Sequence, residues 1–132
     1  MSKMLPEEEA TGRVAELYAE IRKTMGMVPN FLKAQAAVDP EWLELNWNRF
    51  KHIMVEGEGL DGKTRELVAL AVSFVNRCEY CTLAHETSAR MKGATELEVN
   101  QVRQITELFC SFNSIADSMG VEPDITPDML EK

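Results

Sequence analysis

The sequence has no long hydrophobic run. Nowhere does it approach the ~20 consecutive apolar residues that a membrane-spanning helix needs, so no membrane span is expected. Met1 to Glu9 hold one lysine and three consecutive glutamates but no apolar core of a secretory signal, and the expected location is cytoplasmic. Basic residues are scarce: 14 Lys and Arg face 22 Asp and Glu, for a formal net charge of −8. A surface of that sign repels phosphate backbones and anionic headgroups, so neither nucleic acid nor a membrane surface is an expected partner. Cysteine is sparse too. Three cysteines, two of them close together, do not suit a covalent framework, and in a reducing compartment they point to thiol chemistry or metal binding. With 7 Gly and 5 Pro the chain is neither collagen-like nor low in complexity, and 45% hydrophobic with 27% charged residues is the composition of an ordinary globular protein. One domain, residues 1–132, is expected, of a size that buries roughly two-thirds of its unfolded surface without staples or metal.

Apolar residues recur at helical spacing almost throughout. Val14, Leu17, Tyr18, Ile21 and Met25 mark one face of a helix from about Pro6 to Met25, stopped by Gly26. Val28-Pro29-Asn30 restarts the chain with Pro29 in the first helical position. Asp39 caps a third helix opened by Pro40, whose face is Leu43, Trp47, Phe50 and Met54 and which ends near Val55. Asp61 caps a fourth, apolar nearly all round from Glu66 to Val75, which is expected to be buried. Asn76 and Arg77 make a short turn before a helix from Cys78 to about Lys92, ended by Gly93. Thr95 and Glu98 form a capping box, after which Val102, Ile105, Phe109, Phe112, Ile115 and Met119 hold one face until Gly120. The tail beyond Val121, with Pro123 and Pro127 among acids, is expected to be extended. The fold class is all-α, a bundle of about six helices.

The chemistry-bearing stretch is Cys78-Glu79-Tyr80-Cys81-Thr82-Leu83-Ala84-His85, preceded by Glu66. On a helix, positions i, i+3 and i+7 fall within about 60° of arc, so Cys78, Cys81 and His85 share a face. Cα atoms three residues apart lie roughly 5 to 6 Å from one another, within disulfide range, so the two cysteines can form a reversible redox pair. A helix N-terminus favours Cys78 as the sulfur that exchanges with an outside disulfide, and the i, i+4 relation to His85 favours Cys81 as the activated nucleophile. If the two helices fold back about Arg77, Glu66 comes level with His85 and can orient it or take its proton.

Glu66, the Cys78-x-x-Cys81 pair and His85, followed by Gly93-Ala94-Thr95, resemble the core of the AhpD-like alkylhydroperoxidase and carboxymuconolactone decarboxylase superfamily. Met27-Val28-Pro29-Asn30-Phe31 and Lys63-Thr64-Arg65-Glu66-Leu67 resemble its peroxidase-related branch. The likeness runs from about Thr11 to Gly120, with its core motif at residues 61–93. It implies an all-helical subunit that assembles into homo-oligomers, trimers or hexamers, and a thiol peroxidase using no metal or haem. By position, Cys81 matches the peroxidatic cysteine, Cys78 the resolving and reductant-facing one, and His85 with Glu66 the proton relay. An external dithiol is then required, a lipoyl protein in the case of AhpD. The chain departs from AhpD itself at Tyr80, where AhpD has a histidine between the cysteines.

Other readings of these residues remain open on sequence alone. The cysteine pair can be inert, or half of a zinc site completed by His85 and Glu66, although zinc sites favour a second C-x-x-C or C-x-x-H that is lacking here. The chain can then be a non-enzymatic redox-sensing or zinc-binding oligomer. The decarboxylase branch, acting on a lactone acid, does not need the cysteines. Glu66 can serve the helix dipole alone, and Tyr80 can be a packing aromatic or a hydrogen-bond donor lining the pocket. Cys110, beside Phe109, reads as a buried structural cysteine, His52 as a surface residue, and Trp42 and Trp47 as core or subunit-interface residues.

Overall fold

The computed structural model describes residues 2–131; Met1 and Lys132 lie outside the described residues. Six α-helices account for most of the chain, and the described residues include no strand, in agreement with the all-α expectation: α1 (Gly12–Met25), α2 (Asn30–Val38), α3 (Pro40–Phe50), α4 (Gly62–Asn76), α5 (Glu79–Met91) and α6 (Glu96–Met119). None of these helices is long and apolar enough to cross a membrane. The chain forms two compact units, one up to Gly57 and one from Glu58 onward.

The first unit is built on the face read from the sequence. Val14, Leu17, Tyr18 and Ile21 of α1 are buried with Val28, Leu32, Ala36, Leu43 and Trp47 in one apolar cluster. Tyr18 donates its hydroxyl to the Leu5 carbonyl at 2.9 Å, and the Leu5 N–H donates to Lys33 O at 3.0 Å, so the N-terminal segment is tied to both α1 and α2. Helix α1 begins later than the periodicity suggests. Ala10 and Thr11 are extended, which separates a single 3-10 turn, Glu7–Glu9, from the helix proper. Pro29 is the N-cap of α2 rather than its first residue, again with extended backbone. Asp39 caps α3 as expected, its side chain accepting from the N–H groups of Glu41 and Trp42. Beyond Phe50 the helix widens into a π-helical turn, Lys51–Val55. Trp42 and His52 are exposed, whereas Trp47 is fully buried and stacks on Phe50 at 5.7 Å.

The second unit packs α4 against α5 and α6 around Leu70, Ala89, Ala94 and Val99, with Leu67, Phe74 and Val102 alongside. Here two expectations fail. Helix α4 is not buried all round: Glu66, Leu70 and Ser73 are, but Val68, Val72 and Val75 remain 51%, 54% and 56% exposed. Leu70 points one face into a small core, and the valines at i, i+4 and i+7 form a second apolar stripe that nothing in the unit covers. Cys110 is exposed, not buried, because among the described residues no side chain packs over the second half of α6, where every residue from Glu107 to its end is exposed. The α6 start carries the complete reciprocal capping box of Thr95 and Glu98. After Gly120 the tail is exposed, with one 3-10 turn at Pro127–Leu130.

Candidate active site

The site lies on the α4–α5 hairpin, and the hairpin's turn places its first sulfur. Arg77 takes the left-handed conformation at φ 55°, ψ 40°, and its N–H donates to Phe74 O while the Cys78 N–H donates to Ser73 O at 3.1 Å. This pair of bonds satisfies the last carbonyls of α4 and turns the chain back on itself. Cys78, extended at φ −89° and ψ 100°, becomes the N-cap of α5, and its sulfur accepts the Cys81 N–H at 3.2 Å. The sulfur thus occupies the position that a capping oxygen usually fills, at the positive end of the helix dipole.

Cys78 and Cys81 are joined as a disulfide with their Cα atoms 5.3 Å apart. Both are partly exposed, beside the Arg77 turn that closes the hairpin, and Tyr80 between them is exposed. One turn beyond Cys81, His85 directs Nδ1 toward Glu66 Oε2 at 2.8 Å. Glu66 is 7% exposed, on the second turn of α4, so the dipole role of a first-turn acid does not describe its position. Its other oxygen, Oε1, lies 3.9 Å from Lys92 Nζ. An ionised carboxylate accepting from Nδ1–H fixes the imidazole's orientation and leaves Nε2 to act on other groups, the arrangement that base chemistry requires.

Around this centre, ion pairs brace α5 against α6. Glu86 bonds Arg90 at 2.8 Å and Arg103 at 2.9 Å, and Arg90 reaches Glu96. The Arg90 guanidinium, with help from Arg103, holds the Glu86 carboxyl below the usual carboxylate range against the opposing effect of burial. Lys63 on α4 bonds Glu98 on α6 at 2.8 Å and lowers that carboxyl likewise. Asp61, at the start of α4, is held low by the Thr64 N–H that it caps. Among the described residues no group of three or more His, Cys, Asp or Glu is placed to hold a metal ion.

The structure thus brings together Glu66 and His85, and separately Cys78 and Cys81, on one hairpin. The sequence reading missed Lys92. Its spacing was a usable signal, because Lys92 lies seven residues past His85, about two helical turns on, at the C-terminal cap of α5. It also missed that the Ser73 carbonyl would receive the Cys78 N–H, which only the turn geometry reveals.

Residues 40–121 match the model of the carboxymuconolactone decarboxylase family. The chain is similar to an alkyl hydroperoxide reductase of Mycobacterium tuberculosis, 36% identical over 87 residues that cover 66% of this chain and 25% of that protein. It is also similar to the alkyl hydroperoxide reductase AhpD of Corynebacterium kroppenstedtii, 32% identical over 69 residues that cover 52% of this chain and 38% of that one. Each match therefore spans well under half of the curated relative's length. Among solved structures, the alkylhydroperoxidase AhpD core from Rhodospirillum rubrum superposes with a TM-score of 0.86 at 33% identity, covering 93% of each chain.

Proposed function

The chain belongs to the carboxymuconolactone decarboxylase family, within the AhpD-like superfamily, and from that membership we propose that it is a thiol-dependent, alkylhydroperoxidase-like enzyme that reduces peroxides through Cys78 and Cys81. The observation that carries this reading is a cysteine pair at the N-terminus of α5, one turn ahead of an imidazole anchored to a buried carboxylate. The relatives named as alkyl hydroperoxide reductases support it.

In the reduced enzyme His85 accepts the thiol proton of Cys81, with Glu66 holding the ring and balancing its charge. The thiolate attacks one peroxide oxygen and the O–O bond breaks. The leaving alkoxide takes the proton from His85, so an alcohol departs and Cys81 becomes a sulfenic acid. Cys78, whose sulfur sits at the dipole-stabilised cap position, then attacks the Cys81 sulfur and expels water. The product is the Cys78–Cys81 disulfide, the oxidised end of the cycle. An external dithiol, of the lipoyl type or another small or protein-borne pair, attacks Cys78, and its second thiol releases the enzyme from the mixed disulfide. The two electrons that reduce the peroxide come from this dithiol, and no metal or haem enters the scheme.

Self-association completes the proposal. The uncovered valines of α4 and the exposed Ile105, Phe109 and Phe112 of α6 support a homo-oligomer, a trimer or hexamer. The test of the function is peroxide consumption with several candidate dithiols, run on the wild type and on each cysteine variant. Turnover that persists unchanged in Cys81→Ser overturns it. A second reading is favoured by the family match itself: decarboxylation of a lactone acid, for which activity surviving alkylation of both cysteines is the sign.

A further inference from the structure

The Glu66 carboxylate has a second neighbour besides His85, and the chain makes room for it. Lys92 stands at the C-terminal cap of α5, its N–H shared between the carbonyls of Ser88 and Ala89, each at 3.1 Å. From there its side chain crosses Gly62, the first residue of α4, and brings Nζ to 3.9 Å from Glu66 Oε1. A Cβ at position 62 would lie 3.2 Å from Lys92 Cδ and 3.3 Å from Cε, tighter than ordinary packing. Gly62 is not among the residues of positive φ, so its backbone conformation does not call for glycine. What the missing side chain provides is passage for the lysine stem.

We propose that Lys92 is a positioning residue that shares the negative charge of Glu66 and thereby keeps His85 available as a neutral base. The inference rests on the reading of His85 as the proton acceptor. A buried carboxylate whose one neighbour is an imidazole draws a proton onto that ring, because an opposite charge within a few ångströms favours the charged form. An imidazolium cannot take the proton of a thiol. A second cation on the other carboxylate oxygen offsets this pull and repels a charge on the ring. The other charged groups on the elements that pack here are Arg65 of α4, whose Nη2 lies 3.8 Å from the Cβ position at residue 62, Lys63, held by Glu98 of α6 at 2.8 Å, and Glu86, next to His85, which is held by Arg90 at 2.8 Å and by Arg103 of α6 at 2.9 Å. The Lys92 ammonium comes within 4 Å of the carboxylate itself.

The chain has two histidines, and His52, exposed at the end of the first unit, serves as an internal control. The experiment records the ring-nitrogen NMR signals of both in the disulfide form, where no thiol proton competes, across a pH series for the wild type, Lys92→Met, Lys92→Arg and Gly62→Leu. In Lys92→Met the pH at which the His85 signals change over rises by about half a unit, the size expected of one unit charge removed from a half-solvated site. Lys92→Arg keeps the wild-type behaviour. Gly62→Leu reproduces the rise with every charge still present, and His52 stays unmoved. An unmoved or lowered His85 transition in Lys92→Met overturns the proposal, as does the same rise in Lys92→Arg. Because the readout needs no turnover, failure of the peroxidase reading shows separately, as absent peroxide consumption beside an intact NMR effect.

Discussion

The buried carboxylate of Glu66 and the imidazole of His85 meet at 2.8 Å, although 19 residues separate them in the chain. They meet because α4 and α5 fold back through a single left-handed residue, Arg77, that brings their second turns level. Removing the charge while keeping the shape, as in Glu66→Gln, is expected to slow peroxide consumption by about 10²- to 10⁴-fold, the usual reach of general acid–base help. Circular dichroism should show the helices intact. A rate within about twofold of wild type would leave the pair without a part in proton transfer.

The two sulfurs should behave differently. Cys81→Ser abolishes turnover. Cys78→Ser retains attack on peroxide but stalls after one equivalent, leaving a sulfenic acid on Cys81 that a dimedone probe captures. Intact-mass spectrometry of the oxidised wild type should show the loss of two hydrogens, and neither variant should. Capture of a sulfenic acid at position 78 in Cys81→Ser would reverse the assignment.

The entrance to α6 depends on a reciprocal pair, Thr95 Oγ1 accepting from Glu98 N–H at 3.1 Å and Glu98 Oε2 accepting from Thr95 N–H at 2.8 Å. Thr95→Ala is expected to destabilise the chain by about 1 kcal/mol, read from the midpoint of urea unfolding. An unchanged midpoint would mean that packing at Val99 alone sets where the helix starts.

Stability should fall in acid. Glu86 is held below its ordinary range by Arg90 and Arg103, and Glu98 by Lys63 and the Thr95 N–H. A carboxyl lowered in the folded state contributes stability above its unfolded value, near 4.3 in order of magnitude, and loses that contribution as pH drops through the folded value. Urea midpoints measured from pH 6 down to pH 3 should therefore decline below about pH 4.5, and Glu86→Gln should flatten the decline. A Glu86→Gln curve parallel to wild type would take this carboxyl out of the account.

The apolar strip on α6 should carry self-association. Phe109→Asp places a charge between Ile105 and Phe112, all three at least half exposed in the single chain. Sedimentation velocity should then report a smaller species than the wild type. Equal sedimentation of the two, both as single chains, would remove the oligomer from the proposal.

Much of this was legible in order along the chain. Helix ends were readable because caps act over three or four residues: Asp39, Asp61, Thr95 with Glu98, Gly26 and Gly120 all stand where their local chemistry places them. The cysteine spacing was equally local, since a three-residue step on a helix sets the Cα distance, 5.3 Å here. Even the level of Glu66 with His85 followed from counting residues on either side of Arg77. The exposure of Cys110 and of the α4 valines did not, because an apolar stripe records only that something is to be covered and says nothing of whether the same chain covers it.

Backbone hydrogen bonds and helical periodicity act between near neighbours, so composition and order alone specified an all-α chain, most of its caps (though not Pro29 and Cys78, which stand before their helices) and a redox-capable cysteine pair. Lys92 lying over Gly62 to reach Glu66 belongs to a different scale. It depends on where the end of one helix passes the beginning of another, and that is settled by how side chains fill the space around Leu70, Ala89 and Val99 once the hairpin has closed.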